Sequence, residues 1–287
     1  MRKLRIGTRT SRLAMAQTEL VRDALAKAFP GIETELAEVV TKGDRMLDRP
    51  LDSFGGKGVF TRELEEKLLE GEIDLAVHSA KDVPMELPEG LSVCSVLTRG
   101  TPWDVVVTRD GSQWGVASGS STAKGSSLVS PGSGQSETAL GSSIVPGNQS
   151  PEVRQAGGTS GIREEILPPG SIAGTSSLRR ELQIRDRYPG TEVRMLRGNV
   201  LTRLERLREG RYDAILLAGA GLERLGLEKP EGLTVRYLDD GSFLPAAGQG
   251  ILAVEYRTGE LEEIRKVLCQ PETEAAFVAE RQYLKAL

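Results

Sequence analysis

Two stretches of this 287-residue chain follow one plan, and that duplication limits the folds open to it. In the first, Lys3-Leu4-Arg5-Ile6-Gly7 reads as a short strand running into Thr8-Arg9-Thr10-Ser11. Ser11 is the expected N-cap of a helix reaching about Phe29, with Leu13, Ala16, Leu20, Ala24 and Ala28 on its inner face. Pro30-Gly31 stops that helix. A strand over 35–40, a helix over 61–70 ended by Gly71, and the mostly apolar strand Ile73-Asp74-Leu75-Ala76-Val77-His78 complete the stretch.

The second stretch repeats the order. Ser171-Ile172-Ala173-Gly174 turns at Thr175-Ser176-Ser177 into a helix carrying Leu178-Arg179-Arg180. A strand over 192–196 follows, then a helix capped by Asn199 with Val200, Leu204 and Leu207 inward, then Ala214-Ile215-Leu216-Leu217-Ala218. Gly7-Thr8-Arg9 corresponds to Gly174-Thr175-Ser176, and Glu70-Gly71-Glu72-Ile73-Asp74 to Glu209-Gly210-Arg211-Tyr212-Asp213. The expected class is α/β, with two similar domains facing one cleft, where ligands usually sit.

Residues 111–161 differ in kind. They hold 13 Ser and 11 Gly, four charged side chains and one aromatic, Trp114. So little apolar area cannot offset the entropy of ordering, and the stretch is expected to be a disordered insertion interrupting the second domain.

Composition excludes several classes. A net charge of −4 and 4% aromatic residues argue against a general nucleic-acid binder, which needs a basic face and stacking platforms. No apolar run approaches the ~18 residues of a membrane span, and no signal-peptide core follows Met1-Arg2-Lys3. One His and two Cys leave little for zinc, so no metal site is assigned, with a carboxylate-bound Mg²⁺ left open, and a cytoplasmic location is expected. Enzyme templates fail too. Gly55-Gly56-Lys57-Gly58 lacks the first Gly and the Ser/Thr of a phosphate loop, and Arg224 stands where a dinucleotide fingerprint needs its third Gly.

The arginines carry more information. Arg9 and Ser11 lie at the first strand-to-helix turn, Arg179 and Arg180 follow the matching turn, and Arg197 and Arg203 flank the start of another helix. Helix N-termini and guanidinium groups converging on one cleft would bind a polyanion; the same residues could equally form a salt-bridged surface. His78-Ser79-Ala80-Lys81-Asp82-Val83-Pro84 leaves the C-terminal end of an apolar strand, the edge where open α/β sheets bind ligands. Asp82 there could stabilise a cation or move a proton, or merely pair with Lys81. His78 reads as a packed strand residue.

These segments resemble the porphobilinogen deaminase (hydroxymethylbilane synthase) family. The resemblance rests on Arg5-Ile6-Gly7-Thr8-Arg9, Thr41-Lys42-Gly43-Asp44, Gly55-Gly56-Lys57-Gly58-Val59-Phe60 and His78 to Pro84. It continues through Gly174 to Arg180, Leu196-Arg197-Gly198-Asn199-Val200, Leu222-Glu223-Arg224-Leu225-Gly226 and Leu244-Pro245-Ala246-Ala247-Gly248-Gln249-Gly250. It implies two domains of type II periplasmic-binding-protein-like topology plus a third α+β domain. It also implies polymerisation of four porphobilinogen units into 1-hydroxymethylbilane with release of ammonia, on a dipyrromethane cofactor. By the same resemblance Asp82 is catalytic. Arg9, Ser11, Lys57, Lys81, Thr175, Ser177, Arg179, Arg180, Arg197, Arg203 and Arg224 bind carboxylates of substrate and cofactor. Phe60 belongs to a loop over the cleft and Gln249 to the hinge.

The implied domains are 1–104 with 248–268, then 105–247, then a remnant helix in 269–287. Ser53 replaces a Lys often found before the glycine loop, and Thr101-Pro102-Trp103-Asp104 stands where Asp-Pro-Arg-Asp is expected. The Gly-Gly-Cys that should follow Glu280-Arg281-Gln282-Tyr283-Leu284 is not in the chain, so the third domain is expected to be missing. Neither Cys94 nor Cys269 is assigned as the attachment site, and low activity is expected. The other reading is a non-catalytic, two-domain polycarboxylate-binding protein. A monomer acting on porphobilinogen, without nucleic-acid or membrane partners, is the expectation.

Overall fold

The computed structural model describes residues 3–45, 60–111, 166–239, 241 and 243–287. Except for Gly111, the 111–161 stretch lies outside them, as do Ser53 and Lys57. The chain opens with β1 (Leu4–Arg9), α1 (Arg12–Ala28), β2 (Thr34–Val39) and α2 (Lys42–Arg45). Next come α3 (Arg62–Leu69), β3 (Leu75–Ser79), a 3-10 turn at Ala80–Asp82, β4 (Leu91–Val96) and β5 (Asp104–Arg109). The second run is β6 (Ile172–Thr175), α4 (Leu178–Arg187), β7 (Glu192–Met195), α5 (Val200–Arg208), β8 (Ala214–Ala218) and α6 (Gly219–Glu223). It ends with β9 (Leu233–Tyr237), β10 (Leu252–Arg257), α7 (Glu262–Leu268) and α8 (Pro271–Ala286).

Two five-stranded sheets result, ordered β2-β1-β3-β10-β4 and β7-β6-β8-β5-β9. In each, the first three strands are parallel and the fourth runs antiparallel to both its neighbours. That fourth strand comes from the other run of the chain, β10 in the first sheet and β5 in the second. The chain therefore crosses between the sheets twice, and the two crossings touch where the Gly100 amide donates to the Gly250 carbonyl at 3.0 Å. This is the α/β architecture of two similar halves that the duplicated sequence implied.

The repeated Glu-Gly-x-x-Asp has a local cause. Asp74 accepts from the amide of Arg5 at 2.8 Å, and Asp213 from the amide of Ile172 at 2.8 Å, so each carboxylate satisfies the start of a central strand. The return bonds match, from the Asp74 amide to Arg5 and from the Asp213 amide to Ile172. The glycines before them, Gly71 and Gly210, have φ of 72° and 76°, a left-handed conformation that ends α3 and α5 and that only glycine adopts without strain. Arg257 and Arg109, the last residues of β10 and β5, close the same corner. Arg257 donates to the carbonyls of Leu68 and Ile73, Arg109 to those of Leu207 and Tyr212.

The inner face of α1 departs from the expectation. The buried positions are Ala14, Gln17, Thr18, Val21 and Leu25, whereas Leu20 is 42% exposed. Two polar residues in the buried stripe hid it. Thr18 donates to the Ala14 carbonyl and shares a hydroxyl–hydroxyl bond with Thr8, and Gln17 donates to Ser79, so their burial is compensated. Elsewhere the apolar patterns hold: Leu204 and Leu207 of α5 are buried against β5 and β8. Helix α8 lies on the first sheet, with Phe277 buried and Glu274 accepting from the amide and hydroxyl of Ser95. Among the described residues no helix is long and apolar enough to cross a membrane.

Candidate functional site

Strand β3 ends at Ser79, and its final backbone bond, from the Ala80 amide to Ile251, starts the turn that carries Lys81 and Asp82 to the surface. The second sheet faces this turn with a buried carboxylate, Asp104, at the head of β5. Arg180 donates to Asp104 from Nε at 3.0 Å and Nη2 at 2.7 Å, and Arg179 pairs with it at 2.7 Å. Gln249, from the second crossing, donates to Asp104 at 3.1 Å and to the Pro102 carbonyl at 2.6 Å. Its side-chain oxygen accepts from Lys81 at 3.2 Å. One chain of bonds thus runs from Lys81 through Gln249 to Asp104 and two arginines.

The charges in this chain explain its titration. Burial alone would raise the Asp104 carboxyl, but Arg180 and Arg179, with hydrogen bonds from Arg180 and Gln249, bring it below the usual carboxylate range. Lys81 is an exposed residue, and desolvation near its ammonium, together with Arg180, pushes it down to about 8 against the opposing pull of Asp82 and Asp104. Arg203, one turn into α5, is lowered to about 10 by burial and by Arg180, Arg197 and Arg206, while Asp82 acts the other way. The carboxylate of the first half therefore lies within electrostatic reach of an arginine of the second.

The remaining expected residues divide. Ser11 and Ser177 cap α1 and α4, accepting from the amides of Ala14 and Arg180, so their hydroxyls are engaged by the helix ends. Thr175 is buried and accepts from the Ser177 amide, shaping the strand-to-helix turn. Arg180, expected among the ligand's cations, donates to Asp104 from Nε and Nη2 and to the Leu216 carbonyl from Nη1, so a buried carboxylate is paired. Arg179 also donates to the Leu244 carbonyl. Arg224 donates to the Gly250 carbonyl at 2.6 Å and so holds the crossing; burial lowers its pKa to about 10. Arg197 is buried, with its carbonyl accepting from Arg206. Arg9 stacks over Phe60 at 4.2 Å. Lys57 lies outside the described residues.

Sequence reasoning missed Asp104, although an acid opening the run Val105-Val106-Val107 is a signal that it needs buried partners. It also missed the grip of α8. Glu280 accepts from Arg99 at 2.5 Å and from the Gly248 amide at 2.6 Å, beside Gln249. His78 is a packed strand residue, buried and 3.1 Å from buried Glu255. Among the described residues, no group of three or more His, Cys, Asp and Glu could hold a metal.

Two matched α/β halves joined by two crossings define a two-lobed α/β protein, with Lys81, Arg179, Arg180 and Arg203 gathered near Asp82 and Asp104. The family model for "Porphobilinogen deaminase, dipyromethane cofactor binding domain" matches residues 4–130 and 156–265. The porphobilinogen deaminase of Syntrophobacter fumaroxidans is 41% identical over 100% of this chain and 76% of its own length, and that of Roseiflexus castenholzii 40% over 98% and 76%. The benzoate-bound effector-binding domain of BenM is similar at a TM-score of 0.47 and 11% identity, covering 99% of this chain and 94% of that one. The chain belongs to the porphobilinogen deaminase family, whose enzymes are hydroxymethylbilane synthases of porphyrin and heme biosynthesis that carry dipyrromethane as cofactor.

The donor set fits that group in part. Clustered cations suit a polycarboxylate. Neither thiol suits the covalent link: Cys94 is buried in the first sheet's core, which pushes it up to about 12, and Cys269 is also raised by burial.

Proposed function

We propose that Asp82 is the catalytic carboxylate and that Lys81, Arg203, Arg197 and Arg9 receive the acetate and propionate groups of porphobilinogen and its growing oligomer. The observation that carries this reading is the crowding of positive charge. Lys81 and Arg203 are both lowered by enclosure and by neighbouring arginines, and Asp82 opposes the shift at both. A site in that state gains free energy from any anion that enters it. Dipyrromethane, when bound, supplies the pyrrole to which the first substrate is joined.

Within this chain, the Asp82 carboxylate accepts the pyrrole N–H of an incoming porphobilinogen. As ammonia departs, the same carboxylate stabilises the cation left on the ring and its methylene carbon, then takes up the proton released after the rings couple. Lys81, held by Gln249, fixes the height of the turn. The asparagine that replaces Asp82 in an Asp82→Asn variant accepts a hydrogen bond but neutralises no cation. We take residues 1–104 with 248–268 and residues 105–247 as lobes closing about the Gln249 crossing, in a cytoplasmic monomer.

Porphobilinogen consumption, followed with acid Ehrlich reagent, together with calorimetric binding, tests this. Asp82→Asn is expected to lose about 10²–10⁴ of turnover with binding changed only a few-fold, and Arg203→Met to weaken binding. Wild-type turnover in Asp82→Asn rules out the catalytic role.

A further inference from the structure

The turn bearing Asp82 is one short 3-10 turn at the end of β3, closed by a bond from the Val83 amide to the Ala80 carbonyl at 3.3 Å. Beyond it, Val83-Pro84-Met85 leaves the strand pattern, and Pro84 has no N–H with which to build another ladder. The next three carbonyls accept from outside the sheet. They find one guanidinium. Arg281 of α8 donates to Val83 at 3.2 Å, to Pro84 at 2.6 Å and to Met85 at 3.1 Å.

Arg281 is itself fixed. Its guanidinium lies 5.3 Å from the centre of the Phe277 ring, and Phe277 is buried in one cluster with Ala80, Val83, Ile251 and Ala253. One face of α8 therefore holds the turn twice, by apolar contact beneath it and by a rigid fork of donors beyond it. Val83, the first residue of that fork, is the immediate neighbour of Asp82.

We propose that Arg281 is a positioning residue for the reaction, setting the place of the Asp82 carboxylate in the cleft through the carbonyls of Val83, Pro84 and Met85. This rests on the reading of Asp82 as the catalytic group. A methionine at 281 keeps much of the stem and removes every donor; a lysine keeps the charge but replaces the fork by one flexible head.

The experiment uses the full chain labelled with aspartate carrying carbon-13 at its side-chain carboxyl. The Asp82 signal is assigned by its loss in Asp82→Asn. In Arg281→Met we expect that signal to move and its titration to shift, kcat to fall about 10- to 100-fold as for a misplacement of order 1 Å, and KM to change less than about three-fold. Arg281→Lys should recover part of kcat and fall between the two spectra. A folded Arg281→Met with the wild-type Asp82 signal and kcat overturns the proposal. If Arg281→Met does not fold, Arg281→Lys decides by the same two readings. The outcomes separate the two claims: an active Asp82→Asn removes the catalytic reading even if Arg281→Met moves the signal, whereas an inactive Asp82→Asn beside an unaltered Arg281→Met removes only the positioning role.

Discussion

The two sheets can be compared position by position, because register fixes the correspondence. Gly7 pairs with Ala76 as Gly174 pairs with Ile215, so Ala76 corresponds to Ile215, His78 to Leu217 and Asp82 to Gly221. On the antiparallel strand Glu255 corresponds to Val107 and Leu252 to Asp104. The serine caps align Leu13 with Arg179 and Ala14 with Arg180. The backbone is shared while the charges are exchanged: the first half buries His78 with Glu255 where the second has Leu217 and Val107, and the second buries Asp104 with Arg180 where the first has Leu252 and Ala14. Buried ion pairs are weak stabilisers compared with apolar residues of similar volume. A scaffold that folds with the apolar set in one half does not need the ionic set in the other for stability. The Asp104–Arg180 pair is joined to Lys81 through Gln249.

Substitutions that copy one half into the other test this. Asp104→Asn should have the largest effect, about 3–5 kcal/mol lost in chemical denaturation, since it leaves Arg179 and Arg180 beside a neutral group in a buried place. An unchanged midpoint would show that these arginines find solvent when Asp104 is neutralised. His78→Leu or Glu255→Val alone should cost a similar or somewhat smaller amount, whereas the double variant, with Leu217 and Val107 as its template, should be within about 1 kcal/mol of the parent or above it. Equal losses in the singles and the double would mean that nearby Glu65, itself raised by burial, cannot tolerate the loss of the pair.

Glycine positions give a finer comparison. A Cβ at Gly7 would meet Ile73 at 2.3 Å and Leu64 at 2.8 Å, and one at Gly174 would meet Tyr212 at 2.8 Å. Both alanine variants should lose about 1–3 kcal/mol, Gly7→Ala more than Gly174→Ala, as read by thermal melting. The reverse order would show that the tip of Ile73 moves more readily than the Tyr212 ring.

The smallest effect is on pH. A lysine lowered to about 8 in the folded chain sheds its proton near that pH, well below the value for an unfolded lysine. Between the two values the unfolded chain binds more protons, so this residue's contribution makes stability rise with pH there. Affinity for a carboxylate ligand moves the opposite way, falling as pH passes 8, with proton uptake on binding just above it. Calorimetry in buffers of different ionisation enthalpy should detect that uptake and lose it in Lys81→Met; equal uptake in both assigns the proton to another group.

The duplicated strand–helix order, the serine and asparagine caps and the Glu-Gly-x-x-Asp corners were legible in the residues, because each depends on neighbours close in sequence or on a backbone bond that a short motif makes with itself. The placing of arginines at helix starts was legible too. Only the fold could decide which arginines are available. Arg180 and Asp104 are 76 positions apart, and no local pattern says that one neutralises the other. The buried stripe of α1 was misread for the same reason: Gln17 and Thr18 are buried because Ser79 and Thr8 satisfy them. Nor does any spacing reveal that a guanidinium in the last helix closes on carbonyls nearly two hundred residues earlier. Local propensity and periodicity are written along the chain, but the partner of a buried charge is written only in space.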